Sequence, residues 1–184
     1  LIPALAEAGI RILKLNELSH GQDLQVDSFF SEMIYPLLTP LAIEEEDSPP
    51  SIQNLRLFIA CRIDNPEQQE GRYAFVPLPD NLPRFIPVQS SKGSNFVAIE
   101  DIVQRQLGEL FPGETVGASS LFRITRNGDI AVQEEDAIDL AGEMAEVLAA
   151  RRIGTTIRVQ IAKGTPRDLL RLVQEVTRSG SAEL

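Results

Sequence analysis

Few side chains in this sequence could do covalent or metal chemistry, and they are scattered. Cys61 is the only cysteine and His20 the only histidine. An internal disulfide, a four-cysteine zinc site and a histidine-rich metal cage therefore all lack parts. Most Ser-His-Asp arrangements fail for the same reason, because the imidazole base would have to be His20. His20 stands in Leu18-Ser19-His20-Gly21, a polar connector, where an exposed turn histidine is expected rather than a base. The acids Glu100-Asp101 and Glu134-Glu135-Asp136 could share a proton, yet each group opens an expected helix, where carboxylates are stabilised by the dipole without any chemistry. Neither GxGxxG nor GxxxxGK(S/T) occurs, so the standard phosphate-cradling loops are absent.

One short segment carries a sharper possibility, Phe122-Arg123-Ile124-Thr125-Arg126-Asn127-Gly128-Asp129. On a strand, Phe122, Ile124 and Arg126 face one way, while Arg123 and Thr125 face the other. Arg123 or Arg126 could grip a phosphate or carboxylate of a ligand or neighbouring domain. The structural alternative, which we favour from the residues alone, pairs them with acids of the next helix, such as Glu134 or Asp136. Asn127-Gly128 reads as a turn.

The elements that must position these groups follow from periodicity and punctuation. Leu1 to Ala8 read as the last turns of a helix stopped by Gly9, and Ile10 to Leu15 as a short strand. Helical spacing runs from Gln22 to about Tyr35, ended by Pro36 and Pro40. The acids and prolines of 44–50 predict a loop. Leu55, Leu57, Ile59, Cys61 and Ile63 alternate as a strand with one strongly apolar face, and 65–71 is a polar turn. Arg72–Leu78, Arg84–Val88 and Phe96–Ala98 complete an expected antiparallel meander, with Pro87 marking an edge or bulge. Helices are expected at 99–111, 134–152 and from Thr165 to about Thr177, the last with Thr165 as N-cap and Pro166 at N1. Strands are expected at 116–125 and 157–161. The fold class is thus α+β, a mostly antiparallel twisted sheet with helices packed mainly on one face.

Composition narrows the function classes. Among 184 residues, 43% are hydrophobic and 24% charged, an ordinary globular balance in which about 70% of the unfolded surface can be buried. No apolar run approaches the ~20 residues of a membrane-spanning helix. Seventeen bases against 27 acids give a formal charge of −10, which opposes general binding to nucleic acid. The charge is uneven: 127–149 holds seven acids and no base, while 150–184 holds seven bases and three acids. Such runs usually mark an acidic solvated helix followed by a basic edge. The lone cysteine fits a cytoplasmic setting. Opening on Leu1 rather than Met, the chain is expected to be a piece of a longer polypeptide.

Several short pieces, taken in order, resemble the first-family polyphosphate kinases, the bacterial ATP–polyphosphate phosphotransferases. They are Phe29-Phe30 with Ile34-Tyr35-Pro36-Leu37-Leu38-Thr39-Pro40-Leu41, Asn54-Leu55, Leu82-Pro83-Arg84-Phe85, Glu100-Asp101-Ile102, Leu110-Phe111-Pro112-Gly113 and Phe122 to Asn127. Arg151-Arg152-Ile153-Gly154 with Ile157-Arg158-Val159 completes the series. Where the family usually has a His-Pro-Phe-Pro-like run, Ser48-Pro49-Pro50-Ser51 stands here. The resemblance implies that 1–9 is the tail of an N-terminal helical domain and 10–184 the head, or middle, domain of a four-part enzyme. That enzyme reversibly transfers the terminal phosphate of ATP to polyphosphate through a phosphohistidine. In the family that histidine and most ATP and Mg contacts lie in the C-terminal domains, and His20 does not match it.

The expectations drawn from the resemblance are accordingly modest. The chain should hold no catalytic, cofactor-binding or metal-binding residue, should be inactive alone, and should serve scaffolding and dimerisation. Its partners would be the other domains of its own polypeptide and a second subunit, in a homodimer or higher assembly, with polyphosphate bound by the parent. A cytoplasmic enzyme is implied, with attachment to the inner membrane surface left open. Two alternatives stay open at this point. The chain could be a stand-alone interaction domain that binds an acidic partner through its basic C-terminal third. Separately, Arg123, Arg126 and Arg158 could contact polyphosphate rather than only structural partners.

Overall fold

The computed structural model describes residues 2–43, 50–64, 71–127 and 156–177. The helix expected at 134–152, the Arg151–Gly154 piece, the Asn127-Gly128 turn, and most of the 44–50 loop and 65–71 turn lie outside the described residues. The elements in chain order are α1 (Ile2–Glu7), β1 (Ile10–Leu13), α2 (His20–Phe29), β2 (Leu41–Ile43), β3 (Leu57–Asp64), β4 (Arg72–Pro77), β5 (Phe85–Val88), β6 (Ser94–Ala98), α3 (Ile99–Arg105), β7 (Thr115–Arg126), β8 (Thr156–Ile161) and α4 (Arg167–Thr177). The class is α+β. Five strands form an antiparallel sheet in the order β2-β4-β3-β7-β8, and three form a smaller sheet, β1-β6-β5.

The central strand departs from the one-faced pattern its spacing suggests. Phe58, Ile59, Ala60 and Cys61 are all buried, so both parities of β3 face a core. Ile59, Cys61 and Ile63 join Ile102 and Val103 of α3, Val26 of α2, and Val97 of the small sheet. Phe58 and Ala60 join Phe75, Phe122 and Ile124, with Leu169 and Val173 of α4 above them. Most described helices thus lie over the first face while α4 closes the second. Three phenylalanines dominate that second core: Phe122 stacks on Phe58 at 5.5 Å between centroids and tilts against Phe75 at 4.9 Å. Each such buried ring contributes about 1.5–3 kcal/mol through lost water contact.

The expected single meander is two sheets. β5 and β6 pair antiparallel as expected, with Pro87 on the edge strand β5 where its missing N–H breaks no ladder. β6 then pairs in parallel with β1, Ile10 opposite Ser94 and Leu13 opposite Val97. Two glycines permit that pairing. Gly9 and Gly93 both have positive φ, +77° and +71°, and Ser94 N–H donates to Gly9 O at 2.8 Å. A Cβ on Gly93 would stand 2.1 Å from Gly9 O.

Helix boundaries moved for local reasons. Ser19 and Gln22 form a reciprocal capping box, Ser19 N–H donating to Gln22 Oε1 at 2.9 Å, so α2 starts at His20 and not after it. Toward its end Pro36 has no N–H and its ring crowds the carbonyl four residues back. The chain widens into a π turn at Phe30–Ile34, where Tyr35 N–H donates to Phe30 O, and then tightens to a 3-10 turn at Tyr35–Leu37. The helix expected at 99–111 likewise splits into α3 and a 3-10 turn, Leu107–Leu110. Thr165 is not the N-cap of α4. Its hydroxyl donates to Ala162 O at 2.6 Å and meets Ser120 Oγ at 2.5 Å, while Pro166 O accepts the Leu170 N–H.

Candidate functional site

The arginines singled out by sequence lie on β7 and β8, where strand alternation sets Arg126 on the face opposite Arg123 and Arg158. Arg123 faces the first core side together with Leu57 and Leu121, opposite Gln160 in the β7–β8 ladder. Its guanidinium donates to Gln160 Oε1 from Nε at 3.1 Å and from Nη2 at 2.8 Å. Arg126 lies on the other face. Its N–H donates to Asn54 Oδ1 at 2.9 Å, and its Nε and Nη2 donate to Ile52 O at 3.4 and 3.3 Å. Burial lowers the pKa of this guanidinium. Arg158 is exposed on edge strand β8, opposite Thr125. The three do not converge. Glu134 and Asp136, offered above as partners, lie outside the described residues.

Across from Arg123, a cleft of about 200 Å³ also exposes Arg84. Arg84 Nε and Nη2 both donate to Glu100 Oε1, at 2.9 and 2.5 Å, and this bond raises the arginine's pKa. The Glu100 side chain is only 9% exposed. Its second oxygen, Oε2, is buried without a partner among the described residues. Glu100 thus does more than greet the dipole of α3: it anchors the segment before β5 to the start of that helix. With both guanidinium groups already engaged and a volume below the ~300 Å³ of ordinary ligand pockets, this cleft is a joint rather than a binding site.

A second cluster escaped the sequence reading. Arg62 donates from Nε to Asp64 Oδ1 at 3.1 Å and from Nη1 to Asp168 Oδ2 at 2.8 Å. Burial pushes the Asp168 carboxyl up, but the Arg62 bond, the Leu169 N–H and the guanidinium charge outweigh it and hold its pKa below the usual value. Tyr73, opposite Arg62 on β4, has its phenol raised, first by burial and then by the Asp168 charge. A β-bulge makes room for this. The β3–β7 register slips between Arg62 and Ile63, passing from Ala118 to Val116, and a Cβ on the skipped Gly117 would lie 2.0 Å from Asp64 Oδ2. The sequence signal was Arg-x-Asp on one strand face, with Asp168 in the first turn of a helix. The cluster ties α4 to the sheet.

The remaining candidates are inert or solvated. Cys61 is fully buried, its Sγ donating to Ala74 O at 3.4 Å, and burial pushes its pKa up to about 12. A thiol held protonated is neither a nucleophile nor a metal ligand. His20 is exposed at the first residue of α2. Among the described residues, no group of three metal-ligating side chains comes together, and no helix is long and apolar enough to cross a membrane.

Fold and site together describe an α+β domain whose central sheet is cased on both faces and whose best-placed charged groups hold its own elements together. Comparison with known proteins gives that domain its family. The polyphosphate kinase middle domain family matches residues 21–183, and the chain belongs to it. It is 35% identical over 182 residues to a polyphosphate kinase of Streptomyces coelicolor, covering 99% of this chain and 24% of that protein. A polyphosphate kinase of Aphanizomenon baltica is 35% identical over 187 residues, covering 96% of this chain and 48% of that one. One from Mycobacterium tuberculosis is 31% identical, covering 94% and 25%. The chain therefore spans between about a quarter and a half of these relatives. The crystal structure of the Porphyromonas gingivalis polyphosphate kinase superposes with a TM-score of 0.75 at 24% identity, over 97% of this chain and 25% of that one, a likeness of fold.

Proposed function

We propose that this chain is the head of a polyphosphate kinase, a support and dimer-forming module for phosphoryl transfer carried out elsewhere in the same polypeptide. The match of the middle domain family across 21–183 carries the reading. In the parent, ATP and Mg would be held by the other domains, and the terminal phosphate would pass to polyphosphate through a phosphohistidine that does not lie in this chain. The surface side of the reading rests on Met33, Tyr35 and Leu37. These three exposed apolar side chains are brought to one short stretch by the π and 3-10 turns after α2, a setting suited to a second subunit.

Two measurements test it. The 184-residue chain incubated with Mg and γ-labelled ATP should form no polyphosphate and take up no acid-labile label; either product would overturn the reading. Light scattering on the longer polypeptide should give a dimer or higher assembly that Met33→Asp with Leu37→Asp dissociates. A fully associated double variant would remove this face from the interface. A second reading has one observation behind it: Arg158, Lys163, Arg167 and Arg171 are all exposed and form no ion pair among the described residues. Unpaired bases of this kind suit an acidic partner, and salt-sensitive binding of poly-glutamate lost on neutralising them would favour that role.

A further inference from the structure

A polar cleft opens beside the Ser19–Gln22 capping box, away from the Arg123, Arg84 and Arg62 clusters. It measures about 820 Å³ and runs between the N-terminal end of α2, the β5–β6 connector and the first strand of the small sheet. Its walls are tied down. Gln22 Nε2 donates to Gln89 O at 2.5 Å, Gln25 Nε2 donates to Pro87 O at 3.3 Å, and Gln89 N–H donates back to Gln25 Oε1 at 3.0 Å. Two glutamines three residues apart thus staple helix to connector. Ser90 Oγ donates to Lys92 O at 2.7 Å, and the Ser94–Gly9 hydrogen bond fixes the far end.

Two cations open into this space. Arg11 lines it from β1, beside its register partner Asn95, and Lys92 lines it from the connector. Both are exposed, and neither forms an ion pair among the described residues. Lys14, Arg62, Arg72, Arg84 and Arg105 all have carboxylate partners, as a chain with 27 acids and 17 bases readily allows. The positive end of the ten-residue helix α2 points the same charge toward the cleft. The acid in its first turn, Asp23, is held by Arg105. Hydroxyl and amide donors from Ser91 and Gln22 complete a lining suited to oxyanions.

We propose that this cleft binds a stretch of a condensed phosphate chain, with Arg11 and Lys92 as its two cationic contacts. The volume falls within the ~300–1,000 Å³ of ligand sites and far exceeds one phosphate, and its open side admits an extended anion. That the site takes an oxyanion follows from the geometry alone; the choice of condensed phosphate rests on the polyphosphate-kinase reading. Arg123 and Arg126, the residues first suspected of this contact, have internal partners instead.

Titration calorimetry of the 184-residue chain with sodium tripolyphosphate and with orthophosphate, at 50 and 200 mM NaCl, tests the assignment. Tripolyphosphate should bind one to one, more weakly at the higher salt. Arg11→Gln and Lys92→Gln should each weaken it about tenfold or more, with the melting temperature unchanged. Lys163→Gln with Arg167→Gln should leave it intact. Equal binding by the Arg11→Gln/Lys92→Gln double variant, loss on neutralising Lys163 and Arg167, or no binding to the wild-type chain would each overturn the site. Orthophosphate binding as tightly as tripolyphosphate would overturn the choice of ligand. None of these outcomes bears on the dimer or labelling assays, so the two readings fail separately.

Discussion

Replacing Gly93 with alanine isolates the contact on which the parallel β1–β6 pairing depends. The new Cβ would lie 2.1 Å from Gly9 O, 3.1 Å from Gly9 C and 3.3 Å from Gly9 Cα. All three are backbone atoms, so no side-chain rotation relieves the clash. The chain must open there, stretching the 2.8 Å Ser94–Gly9 hydrogen bond, or force β1 out of register. Three costs add. Holding an L-residue at φ +71° costs about 1–2 kcal/mol, a lost hydrogen bond about 1 kcal/mol, and overpacking about 1–3 kcal/mol. The sum is about 3–6 kcal/mol, a large part of a domain's ~5–15 kcal/mol. At about 2–4 °C per kcal/mol for this chain length, the melting temperature should fall by about 6–24 °C. Gly113→Ala is the control, because its φ is +82° but nothing stands within 4 Å of a Cβ there; only the backbone cost of about 1–2 kcal/mol applies. Urea unfolding followed by circular dichroism measures both. Equal destabilisation by the two substitutions would refute the steric argument, because only the shared backbone cost would then be operating.

Three further outcomes follow from the site geometry. Gly117→Ala should destabilise by about 1–2 kcal/mol by expelling the Asp64 carboxylate from its niche. In an Asp64→Ala background the same change should cost much less, leaving only a 3.0 Å approach to Arg62 Nη2, so additive effects in denaturant titrations would count against the niche. Asp168 has a folded pKa held below the ordinary carboxylate value, so its contribution to stability is present above about pH 4 and fades as the pH falls through the lower folded value. Asp168→Asn should flatten that part of the pH–stability curve, and an unchanged acid limb would show that Arg62 does not hold the carboxylate. Cys61, with its thiol pushed up to about 12, should resist a disulfide reagent at pH 8 until denaturant unfolds the chain; rapid labelling of the native protein would contradict its burial.

What the sequence determined by itself were the properties that repeat along one element. Alternation located the strands at β3, β7 and β8, and placed Arg123 and Arg126 on opposite faces. The single cysteine and single histidine bound the covalent and metal chemistry, and short ordered motifs point to the family matched across 21–183. The Ser19–Gln22 capping box is equally legible in Ser19-His20-Gly21-Gln22.

The tertiary structure decided everything that joins distant positions. Arg84 meets Glu100 across 16 residues and Arg62 meets Asp168 across 106; neither separation leaves a local pattern. Nothing beside Gly93 in the sequence marks it as a steric requirement; the arrival of Gly9 makes it one. Both faces of β3 are covered because α4, from the far end of the chain, packs on the second one, which alternation within a single strand cannot reveal. Arg11 and Lys92 share a cleft because β1 pairs with β6 across more than 80 residues. Periodicity records how one segment meets solvent; partnership depends on chain closure over long separations, and the free energy that selects it resides in contacts no single segment contains.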